Sequence, residues 1–128
     1  MLFGYLVVFL GGGFGAAIRH GVNRLALGAN IDFPLGTMLI NIAGCLVMGL
    51  LTSWFAFKGE ASSQHLRLLL TTGILGGFTT FSAFSLDAAF LWQRGQVLQA
   101  AYYVGGSVVF SLIAVFGGLS LGRMVFSS

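Results

Sequence analysis

Charge is what this chain has least of. Six Lys/Arg and three Asp/Glu make up only 7% of its 128 residues, where a soluble domain carries about 25%. So few charges cannot solvate a soluble fold of this size, and 57% of the residues are hydrophobic. The composition predicts an all-α integral membrane protein. The basic residues are dispersed and form no run, which argues against a nucleic-acid partner. A single cysteine, Cys45, excludes an intrachain disulfide, and no Cys/His cluster marks a metal centre. Cys45 sits inside an apolar run and reads as a small packing residue. Met1 to Ile18 lacks a basic leader and no polar mature domain follows, so it reads as a span and not as a signal peptide. No nucleophile or acid/base pair with a plausible partner lies in the apolar segments, which argues against an enzyme.

What is present is long apolar sequence. A bilayer-crossing helix needs about 20 such residues, and four segments qualify, at about 2–27, 34–57, 68–92 and 98–122. Pro34, the only proline, stands where a helix start tolerates it. The connections are short, and the whole chain, 1–128, reads as one four-helix transmembrane domain. Its most informative stretch is Gly76-Gly77-Phe78-Thr79-Thr80-Phe81-Ser82-Ala83-Phe84, in the middle of the third span. Glycine and threonine are weak helix formers, and irregular backbone at membrane depth survives only where protein or a water-filled cavity covers it. The third helix is therefore expected to break there, in a functional interior. The 20 glycines include pairs at small-xxx-small spacing, Gly11/Gly15, Gly73/Gly77 and Gly118/Gly122. Such pairs let helix backbones approach closely, either within a subunit or at an oligomer interface. Four short helices leave little room for a pathway inside one subunit, which favours the homo-oligomer.

In a four-span chain both termini and the second loop share one side. That side carries Lys58, Arg67 and Arg123, and the other Arg19, Arg24 and Arg94. Lys/Arg asymmetry sets orientation, and here it is balanced. The expectation is insertion in both orientations and assembly as an antiparallel, dual-topology homodimer. Asp32 and Glu60 fall in loops and are expected to be solvated.

Polar side chains within spans are costly and mark function. Arg19 follows an apolar run and either snorkels to a helix end or, with His20, Asn23 and Arg24, forms a positive vestibule that focuses anions. Asn41 lies two turns into the second span, on the same face as Thr37; it is either a helix–helix glue or a donor to a dehydrated anion. Tyr103, Ser107 and Ser111 recur at i, i+4, i+8 and draw a hydroxyl stripe along the fourth span. Asp87, the one acid well inside a span, is open to pairing with an arginine, carrying a proton or lying at a pore mouth. Phe81 and Phe84 share a face flanked by Thr79, Thr80 and Ser82, and an aromatic ring presents a positive edge to an anion.

Taken together, these residues resemble the CrcB/Fluc family of small fluoride channels over nearly all four spans. The likeness is carried by Gly11-Gly12-Gly13-Phe14-Gly15-Ala16-Ala17-Ile18-Arg19, by Pro34-x-Gly36-Thr37-x-x-x-Asn41, and by Thr72-Gly73-x-x-Gly76-Gly77-Phe78-Thr79-Thr80-Phe81-Ser82-Ala83-Phe84. The resemblance implies a dual-topology dimer in the bacterial inner membrane that exports fluoride passively through two pores. It implies that Asn41, Thr80, Phe81, Ser82, Phe84, Tyr103, Ser107 and Ser111 line the pore, with Arg19, Thr37 and Asp87 near the vestibule. It also implies a structural Na⁺ on the dimer axis, held by the backbone carbonyls of Gly76 and Thr79. Ala83 and Val115 depart from the family pattern, each standing where relatives often carry threonine. Two rivals have the same size. A small multidrug-type exporter needs an acid deep in its first span, which has none here. A non-transporting assembly subunit has no need for Asn41, the hydroxyl stripe and the third-span motif together.

Overall fold

The computed structural model describes residues 1–28, 33–60 and 63–127; Asp32, expected in a solvated loop, lies outside them. Helix α1 spans Leu2–Gly28 and α2 spans Leu35–Phe57. The third span is composite: a short α3 (Gln64–Arg67), a π-helical stretch (Leu68–Leu75), one turn of α4 (Gly76–Phe78), and α5 (Phe81–Gln93). Helix α6 spans Val97–Phe126. All four spans are long and apolar enough to cross a membrane, as the sequence predicts, and the third is interrupted where glycine and threonine cluster.

Local chemistry explains the boundaries. Pro34 lies immediately before α2 with φ −75°, a value its ring imposes. Helix α5 stops at a tight reversal in which Gly95 takes a left-handed φ of 79°. There Gly95 N–H donates to Trp92 C=O (3.0 Å) and Gln96 N–H to Leu91 C=O (2.9 Å), the two bonds of a Schellman motif that only a residue without Cβ closes cheaply. Only Arg94, Gly95 and Gln96 separate α5 from α6. The π-helical stretch is not legible in the sequence. Its wider i→i+5 turns are uncommon and concentrate at functional sites, and here they lead directly into the break.

Glycine decides which helices meet. A Cβ on Gly15 would strike the Ile74 carbonyl, and one on Gly77 would strike the Gly12 carbonyl, so α1 lies backbone to backbone against the first half of the third span. Equally, Gly49 faces the Val115 carbonyl and Gly118 the Leu46 carbonyl, joining α2 to α6. Each of the three small-xxx-small pairs thus packs within the subunit, the first of the two readings that their spacing left open. Both contacts join parallel helices, first span to third and second to fourth. The break at Thr79–Thr80 is where the third span changes neighbours, leaving α1 for α6.

The fully buried side chains, Ile40, Leu91 and Tyr103, lie where α2, α5 and α6 converge, with Phe33, Met38, Phe84 and Ala88 packed around Leu91 and Tyr103. Phe3 meets His65 edge-on at 4.7 Å and Gly122 contacts Ser53. The N-terminus, the start of the third span and the ends of α2 and α6 therefore share one end, with Lys58, Arg67 and Arg123. Arg24 and Arg94 belong to the other. Arg19, counted with them from sequence, does not: α1 continues well past it, and its side chain turns inward. The loop charges therefore divide three against two.

Candidate functional site

The site begins with the hydrogen bonds that a broken helix fails to make. At Thr79 ψ swings to 155°, and Thr80 is extended at φ −152°, ψ 124°. In an unbroken helix Thr80 N–H would donate to Gly76 C=O. Instead it donates to Asn41 Oδ1 at 2.8 Å, and Asn41 Nδ2 donates to Thr80 C=O at 3.0 Å. Likewise Ala83 N–H would reach Thr79 C=O, but it donates to Thr80 Oγ1 at 3.1 Å, capping α5. Thr79 Oγ1 donates back to Leu75 C=O at 2.9 Å. The break thus has identifiable causes: an amide reaching in from α2, and a threonine that caps the next helix by capturing the N–H of its third residue.

Four consecutive carbonyls, from Gly76 to Thr79, lose their ordinary helical donors in this way. One is re-satisfied from α1, since Arg19 Nε donates to Gly77 C=O at 3.1 Å. The sequence left Arg19 between snorkelling and a vestibule and did not foresee this bond. The signal was present: Arg19 is one turn beyond Gly15, on the face that glycine brings against Ile74 and Phe78. The carbonyls of Gly76, Phe78 and Thr79 remain, and such oxygens are hard acceptors of the kind that suits a hard cation. Among the described residues no three His, Cys, Asp or Glu side chains gather.

Beside the break lies a cavity of about 520 Å³, on which Asn41, Thr80, Phe81, Phe84, Ser107 and Ser111 converge. Cys45, Met48, Val108 and Val115 are also in its wall, so Cys45 is a half-buried lining residue, beyond the simple packing role expected of it. The Phe81 and Phe84 rings stand 5.6 Å apart, tilted by 50°. Ser107 is buried, and its Oγ has no hydrogen-bond partner among the described residues. The bland account of a membrane serine, a bond back to the i−4 carbonyl, does not hold for it. Ser82 is exposed at the rim, its Oγ 3.3 Å from Thr80 Oγ1.

Tyr103 belongs to the same stripe but is fully buried below the cavity wall. Its ring packs on Phe84 at 5.3 Å and meets Phe33 edge-on at 5.5 Å. Its hydroxyl donates to Asp87 Oδ2 at 3.2 Å, and buried Thr37 lies beside the same phenol. Among the roles open to Asp87, the arginine pair is replaced by a tyrosine pair. Thr37, Asp87 and Tyr103 form one polar cluster at the α2–α5–α6 junction, separate from Arg19.

Four apolar spans, a broken third helix and polar groups turned onto one cavity define a small multi-pass integral membrane protein. The chain belongs to the CrcB family: the family description "CrcB-like protein, Camphor Resistance (CrcB)" matches residues 6–119. It is 57% identical over 124 residues to the "Fluoride-specific ion channel FluC" of Rhodopseudomonas palustris (strain BisB5), covering 94% of this chain and 98% of that protein. It is 55% identical over 123 residues to the protein of that name from Paracoccus denitrificans (strain Pd 1222), covering 96% and 97%. It is also 52% identical over 120 residues to "Fluoride-specific ion channel FluC 2" of Nitrobacter hamburgensis, covering 93% and 96%.

Proposed function

We propose that this chain forms a fluoride-selective channel that lets fluoride leave the cell passively across the bacterial inner membrane. The observation that carries this reading is the pairing, in one cavity, of two tilted phenylalanine rings with uncommitted donors. Ser107 brings a buried, unpartnered hydroxyl. Asn41 spends one N–H on Thr80 and keeps a second. Fluoride is small and strongly hydrated, so a pore must replace its water with good donors. Hydroxyls, an amide and positive ring edges do this without a fixed cation in the wall that would trap the ion, and conduction needs sites weak enough to release.

The working unit in this reading is an antiparallel homodimer with two pores, each lined by groups of both copies. Thr37 and Asp87 hold Tyr103 at one end of the path, and Arg19 braces the break from α1. Two inverted copies meet at the break, where the Gly76 and Thr79 carbonyls of each would hold a structural Na⁺, which would supply positive charge to backbone oxygens that have lost their helical donors. The near-even division of loop cations supports insertion in both orientations; C-terminal reporters showing a single orientation would overturn it.

The deciding experiment is efflux from proteoliposomes loaded with potassium fluoride or potassium chloride, started with a potassium ionophore. Rapid fluoride release with chloride retained is the expected result. Absence of fluoride release, or chloride release at an equal rate, rejects the function.

A further inference from the structure

We propose that Arg19 is a positioning residue of the pore, acting through the place of its Nε–H donor on the Gly77 carbonyl and not through its net charge. The break is held from two sides. Asn41 on α2 takes both backbone groups of Thr80, and Arg19 on α1 takes the carbonyl three residues earlier. Between these anchors lie Phe78 and Thr79, and immediately beyond them Phe81 begins α5. The direction in which the Phe81 and Phe84 rings leave the backbone is therefore fixed relative to α1 as well as α2. Glycine makes the first anchor possible: with no side chain at Gly15 or Gly77, α1 comes close enough for a donor one turn on to reach Gly77 C=O.

Atom counting separates donor from charge. Nε of arginine is four bonds from Cα, and so is Nε2 of glutamine. Arg19→Gln keeps an N–H donor at that position and removes the charge. Lysine keeps the charge but puts a methylene there, with its ammonium one bond further out. Methionine places a methyl there and has neither donor nor charge. A charged vestibule that attracts anions and a clamp on the break therefore rank the variants oppositely.

The test uses the purified full-length protein and two readouts. The first is hydrogen–deuterium exchange of the backbone amides of residues 80–83. The second is fluoride efflux from proteoliposomes. Arg19→Lys and Arg19→Met are expected to exchange about tenfold faster than wild type across this segment, the scale set by losing one hydrogen bond. Arg19→Gln is expected to stay closer to wild type than either, and to conduct fluoride faster than Arg19→Lys by about fivefold or more. Protection and flux retained in Arg19→Lys but lost in Arg19→Gln overturn the proposal in favour of charge, and equal behaviour of the variants overturns it altogether. Should Arg19→Met fail to fold, the Lys and Gln comparison decides alone. The flux arm rests on the fluoride-channel reading; the exchange arm does not. A wild type that fails to conduct fluoride rejects that reading and leaves the clamp to be judged by exchange.

Discussion

The side-chain amide of Asn41 forms a closed two-bond ring with the backbone of Thr80, accepting from its N–H at 2.8 Å and donating to its C=O at 3.0 Å. Both bonds require one orientation of the amide, so the α2 side chain substitutes for the helical partners that Thr80 has given up. Asn41→Asp keeps the acceptor and loses the donor, and sets a carboxylate against a carbonyl. Fluoride efflux should fall by about 10–100-fold, the equivalent of about 1.5–3 kcal/mol. The size-exclusion profile of the detergent-purified protein should stay unchanged. Efflux at the wild-type rate would remove Asn41 from the pore.

Ser107 supports a prediction of opposite signs. Its hydroxyl is buried without a partner, a state that costs about 1–3 kcal/mol. Ser107→Ala removes that cost and one donor from the cavity. Thermal unfolding in detergent should move upward while fluoride flux falls. A variant that loses stability along with flux would show a structural partner for the hydroxyl.

Phe81 and Phe84 should part company. Phe81 is 78% exposed in the single chain, whereas Phe84 packs on the fully buried Tyr103 ring. Phe81→Ile should reduce flux and leave the unfolding midpoint in place. Phe84→Ile should reduce flux and lower stability by about 0.5–1.5 kcal/mol, the worth of an aromatic pair. Parallel efflux and melting curves separate the two.

The glycine contacts predict a contrast between two neighbouring helices. A Cβ on Gly49 would meet the Val115 carbonyl and the backbone of Leu119, groups that cannot swing away, whereas one on Gly117 meets nothing within 4 Å. Gly49→Ala should destabilise the fold by about 1–3 kcal/mol. Gly117→Ala should be neutral or stabilising by about 0.5–1 kcal/mol. Detergent unfolding midpoints measure both.

Withdrawal of Na⁺ tests the proposed cation between the freed carbonyls. Protein purified in N-methylglucamine salts, with loss of bound Na⁺ verified by atomic emission, should lose fluoride efflux and regain it when Na⁺ is restored. Full activity without bound Na⁺ would remove the cation from the mechanism.

The four spans and the break were legible in the sequence because each rests on a local cause. Long apolar runs impose spanning helices, and Gly76–Thr80 is a poor helix in any surroundings. The hydroxyl stripe was legible from its four-residue period. What was not legible depends on contacts across the fold. Leu68–Leu75 is an apolar run that gives no sign of its wider turns. Arg19 was left between snorkelling and a vestibule because its partner lies in another span, and only the approach of Gly15 to Ile74 reveals its target. Asp87 and Tyr103 are 16 residues apart and meet because the Gly95 reversal folds α6 back against α5. The same distinction applies to glycine spacing: it announced close backbone contact but could not say whether the contact lay within a subunit or between two.

The alternating pairing of helices, first with third and second with fourth, also bears on how the chain is made. Spans enter the membrane in the order of synthesis, yet α1 meets its glycine-matched surface only after the π-helical stretch and α4 have emerged, and α2 only after α6. The opening α1–α2 hairpin therefore holds neither of the finished close backbone contacts. Arg19 must wait in the nascent protein for a carbonyl that does not yet exist, shielded in the meantime by the insertion machinery or by lipid headgroups. Biogenesis of this small protein is consequently late-committing: the break, its clamps and both glycine contacts come together only as the last two spans arrive.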